Sequence, residues 1–123
     1  MKRDLDLIRK ILQIVEECDN PNGIGGKLTV PGYDDSFVSY HIKLLMDAGL
    51  VEAVDACTLG PNGYLFIPKN LTWEGHEFLD ASRDEKIWKK AKEWVIKEGS
   101  SFAFGALLEW LKSQARLTIG VPI

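Results

Sequence analysis

The chain has 123 residues, 46% hydrophobic and 27% charged, which suits one globular domain and excludes a disordered or fibrous chain. A net charge of −3 and a pI near 5.4 exclude a protein held to nucleic acid by bulk positive charge. No apolar run reaches the roughly 20 residues that span a bilayer. Met1-Lys2-Arg3-Asp4 leads into no apolar signal core, so a cytoplasmic protein without a membrane partner is expected.

Taken in order, the pattern predicts a first helix from Asp4 to Cys18. Leu5, Leu7, Ile8, Ile11, Leu12, Ile14, Val15 and Cys18 occupy one half of its wheel, an arc wide enough for a central core helix. Asp19 to Gly26 holds Pro21 and three glycines and cannot be helical. Lys27-Leu28-Thr29-Val30 reads as a short strand closed by Pro31-Gly32.

An Asp or Ser within Asp34-Asp35-Ser36 then caps a helix running to Ala48. Phe37, Val38, His41, Ile42, Leu44, Leu45 and Ala48 share its apolar face; Ser36, Ser39, Tyr40, Lys43 and Asp47 share the other. His41, amid that apolar face, reads as a buried and hydrogen-bonded core histidine. Gly49 stops the helix, since glycine takes the left-handed cap conformation without steric cost.

Leu50 to Cys57 and Tyr64 to Ile67 follow as strands around the turn residues Gly60-Pro61-Asn62-Gly63. Pro68 and Asn70 end the second of them, and Thr72 caps a helix in which Gly75 permits close packing. Two more helices, about Asp84 to Glu98 and Phe102 to Arg116, complete the chain. The first carries Lys86, Lys89, Lys90 and Lys97 opposite its apolar face. In the second, Phe104, Leu107, Leu108, Trp110 and Leu111 are spread too widely for one internal face and predict a homodimer contact. The four tryptophans, Trp73, Trp88, Trp94 and Trp110, read most simply as core.

The parse is that of an α+β fold: a winged helix-turn-helix-like domain with its positioning helix reduced or missing, and extra C-terminal helices. The expected division is residues 1–82 for the winged-helix part and 83–123 for helices that pack on it and dimerise, within one folding unit.

Val38-Ser39-x-His41-Ile42-Lys43-x-Leu45-x-x-Ala48-Gly49-Leu50-Val51 and Leu71-Thr72-x-x-Gly75-x-x-Phe78-Leu79 resemble winged-helix regulators of the arsenical-repressor and antibiotic-resistance-repressor kind. The match departs at Tyr40, where those repressors often carry Arg. The chain as a whole is more similar to an uncharacterised family of bacterial and phage proteins, a domain of unknown function. That likeness rests on Met1 to Leu12, Tyr40 to Leu45, Leu71 to Asp80, Arg83-Asp84 and Trp88. It implies a phage or prophage setting and brings no activity.

Enzyme signatures are absent from the sequence. Gly23-Ile24-Gly25-Gly26 lacks the Lys-Ser/Thr of a phosphate loop, and no nucleophile stands with a base. Cys18, Cys57, His41 and His76 lack metal-site spacing, so no catalytic residue, metal or cofactor is expected. The expected function is a small, DNA-associated regulator. Ser36, Ser39, Tyr40 and Lys43 would enter a groove of double-stranded DNA, and Lys86, Lys89, Lys90 and Lys97 would touch phosphates. The alternative is a non-enzymatic adaptor that binds another protein with the same residues. Charge leaves both open: Lys27 to Asp80 holds three basic residues against eight acidic, and Arg83 to Arg116 eight against five.

Overall fold

The computed structural model describes residues 2–59, 63–98, 106–107, 109–111 and 113, with side chains at all of these except 59 and 95–98. The chain divides into two compact units, Met1–His76 and Glu77–Ile123, with the divide inside a helix.

Helix α1 is Leu5–Glu17, and its boundary is set by Asp4, whose carboxylate accepts the Leu7 N–H at 3.1 Å. Leu5, Leu7, Ile8, Ile11, Leu12 and Val15 form its buried face. Helix α2, Asp35–Asp47, starts at the Asp34 cap and ends in a reciprocal pair of bonds, Gly49 N–H to Met46 O and Leu50 N–H to Leu45 O. Gly49 takes φ 77 there, as this helix stop requires. Strands β1 (Val51–Asp55) and β2 (Phe66–Leu71) form an antiparallel pair with a bulge between Glu52 and Ala53, and a short 3-10 turn at Cys57–Leu59 follows β1. α1 packs on α2 and β2, and α2 packs on α1 and both strands.

The architecture is α+β, and the order helix, helix, hairpin, helix is the one expected, with no helix between Cys18 and Asp34. Two expectations are corrected. Lys27–Val30 joins no ladder: Leu28 and Val30 are buried and Thr29 is exposed, so the segment is extended and anchored but unpaired. A strand also needs a neighbouring ladder, and among the described residues the sheet consists of β1 and β2 alone. Nor does Pro68 end β2, which continues through it to Leu71.

The second half of the chain begins within helix α3 (Trp73–Ala81) and continues in α4 (Glu85–Glu98), capped by Asp84 through the Lys86 and Ile87 N–H groups. Phe78 meets Trp88 edge to face at 6.2 Å in the second unit, where Leu79, Ile87, Ala91, Leu107 and Leu111 are also buried. No helix among the described residues is long and apolar enough to cross a membrane.

Candidate functional site

The expected contact residues do not share one surface role. Ser39 turns inward: it is 3% exposed, and its Oγ accepts the Phe66 N–H of β2 at 3.3 Å. It therefore does not belong to the exposed face of α2. The reason is the breadth of the buried arc on a helix packed against α1 and both strands. Val38, Ser39, His41, Ile42 and Leu45 are all buried, whereas Phe37 and Leu44 are only half so. Ser39→Ala is expected to lower stability by about 1 kcal/mol by stranding the Phe66 amide. A urea titration checks it, and an unchanged midpoint would put Ser39 back on the surface.

His41 behaves as a structural residue. It is 0% exposed, its Nε2 accepts the Asp4 N–H at 2.8 Å, and its Nδ1 lies 2.9 Å from the Phe37 carbonyl oxygen. Both contacts are satisfied by one neutral tautomer, with the proton on Nδ1. Burial lowers its pKa, against the opposing pull of the Phe37 carbonyl and of Asp4. The ring thereby joins the middle of α2 to the cap of α1.

What remains on the open side of α2 is Ser36, Tyr40 and Lys43, all partly exposed. Lys43 is tied to Asp47 at 2.9 Å, one turn along, and that pairing raises its pKa. Tyr40 stands edge-on to His41 at 5.7 Å. The hairpin adds Tyr64, which the sequence reading missed: burial chiefly raises its pKa, with Lys43, Tyr40 and Asp47 near enough to act on it. Tyr64 in turn meets Phe66 edge to face at 5.5 Å. The surface is thus two tyrosines about a neutralised lysine. The only sequence signal for Tyr64 was an aromatic residue just after a turn.

Lys86, Lys89 and Lys90 are exposed on α4, in the second unit. The Lys97 side chain, Phe104 and Leu108 lie outside the described residues. Of the expected dimer contacts, Leu107 and Leu111 are buried within the chain itself and so are committed to its own packing; Trp110 is half-buried. Trp88 is core, at 1% exposed, but Trp73 is 81% exposed, which overturns its reading as core. Residues 1–76 hold 7 Lys and Arg against 11 Asp and Glu, and residues 77–123 hold 8 against 7. Among the described residues, no three His, Cys, Asp or Glu side chains are grouped to hold a metal ion.

Comparison with known proteins adds a family but no activity. An uncharacterized protein of Haemophilus influenzae is 38% identical over 107 residues, covering 87% of this chain and 89% of that protein. No solved structure matches. The family model described as "Hypothetical protein (DUF2513)" matches residues 2–101, and the chain belongs to that family.

Proposed function

We propose that the chain is a small, non-enzymatic regulatory adaptor, acting in the cytoplasm by binding another protein rather than by reading duplex DNA. The observation that carries this reading is the state of the α2 face. Ser39 is committed to β2, and the charge of Lys43 is cancelled by Asp47. The unit around them is net acidic, with 11 carboxylates against 7 basic side chains. Duplex affinity rests on phosphate contacts, and such a face repels phosphates. Half-exposed tyrosines suit a protein contact, because each joins an apolar ring to a polar tip at little cost in rotamer freedom.

A second reading, the DNA-associated regulator of phage or prophage type, is favoured by Lys86, Lys89 and Lys90, which stand exposed together on α4. Gel shifts at about 50 mM salt on duplexes from the protein's own promoter separate the two. The adaptor reading expects no complex below about 10 µM. Tighter binding, with a salt slope of roughly two to four charges that Lys89→Glu with Lys90→Glu removes, would establish the regulator instead.

A further inference from the structure

Helix α3 begins against the corner where α2 meets β1. Thr72 donates its N–H to Leu50 O at 3.0 Å and its hydroxyl to Gly49 O at 2.6 Å, while its Oγ1 accepts the Gly75 N–H at 3.0 Å. Gly75 lies so close to Leu50 that a Cβ there would run into the Leu50 carbonyl. These contacts fix the first turn of α3. Two residues along a helix is about 200° of rotation, so the inward-facing Gly75 leaves Trp73 pointing outward.

Single exposed apolar side chains are ordinary on protein surfaces. Tryptophan is not among the usual ones, since it is highly buried on average. Here the indole is 81% exposed on the first turn of α3. A flat, exposed indole can stack on a nucleic-acid base or on a guanidinium group. Charge decides between them. Glu74, the next residue, is exposed, and its full negative charge exceeds the roughly half positive charge at the N-terminal end of α3. His76, one turn on, lies 3.8 Å from the carboxylate of Glu16 in α1. Residues 1–76 carry a net charge of −4. A polyanion is disfavoured at such a place, whereas a cation gains from both the ring and the carboxylates.

We infer that Trp73, with Glu74 beside it and Glu16 near the next turn, is the docking point for an arginine-rich segment of a partner protein. The arginine plane stacks on the indole while its N–H groups reach the carboxylates, a pairing that a lysine ammonium makes less well. The inference rests on the protein-binding reading and names the chemistry of its partner.

The test uses the whole chain and three short synthetic probes: a peptide alternating Arg and Ser, its Lys counterpart, and a single-stranded oligothymidylate. Calorimetry should show the Arg peptide binding most tightly, with affinity falling as salt rises from about 50 to 200 mM. Trp73→Ala should weaken that binding about tenfold or more, the loss typical of an interface tryptophan, with no change in thermal midpoint. Trp73→Phe should retain part of it, and Glu74→Gln should flatten the salt dependence. Equal affinity in Trp73→Ala, no binding of the Arg peptide, or tighter binding of the oligothymidylate would overturn the inference. So would a drop of several degrees in the Trp73→Ala midpoint, which would mean that the chain's own residues cover the indole. None of these outcomes touches the adaptor reading, which fails only if duplex DNA binds in the gel shift.

Discussion

Gly75→Ala is expected to destabilise the fold by about 3 kcal/mol, at the upper end of what overpacking costs. The obstacle is the Leu50 carbonyl oxygen, which is backbone and cannot rotate away. That oxygen also accepts the Thr72 N–H, so moving it breaks the bond that starts α3. An alanine in a helix interior ordinarily gains about 1 kcal/mol over glycine. The steric term is the larger, and the sign of the change is therefore negative. Thermal melts of the two proteins decide it. A variant as stable as the parent, or more so, would show that α3 does not approach Leu50 this closely.

His41→Asp is expected to cost about 3–5 kcal/mol, the usual penalty for an uncompensated buried charge. The new carboxylate would sit in a dry site near Asp4 and could not donate to the Phe37 carbonyl. With total stability of roughly 5–15 kcal/mol, much of the population would unfold near body temperature. The same geometry predicts a pH dependence. The folded chain holds His41 neutral and below its ordinary pKa, because protonation would bury a charge and set an Nε2–H against the Asp4 N–H. The contribution is complete above about pH 6.5, the ordinary histidine value, and is lost as pH falls from there through the lowered folded value. In that window the unfolded chain takes up the proton first, so stability falls with falling pH. Urea titrations from pH 8 to 5, with His41→Gln as the non-titrating reference, should show the gap between the two proteins shrinking toward acid. A constant gap would sink the argument.

Periodicity and turn chemistry made most of the elements legible. The wide apolar arc of α1, the Gly49 stop and the hairpin all follow from local rules, because each is enforced within a few residues by sterics or by side-chain amphipathy. The family was legible too, since its motifs run over most of the chain. His41 could be placed in the core because its neighbours on the wheel, Val38, Ile42 and Leu45, leave it no polar side.

Other features depend on what lies opposite, and no window of sequence contains that. Whether Ser39 faces out or in depends on how much of α2 is covered, and the Phe66 amide of β2 was needed to hold it. Lys27–Val30 has the alternation of a strand, but a strand also needs a partner ladder, and among the described residues only β1 and β2 form one. Tyr64 joined Tyr40 and Lys43 only when the hairpin folded against α2. The hydrophobicity of Trp73 points to the core. Trp73 is exposed because Gly75 takes the inward position of the same turn against a backbone oxygen, and that contact exists only between segments 25 residues apart.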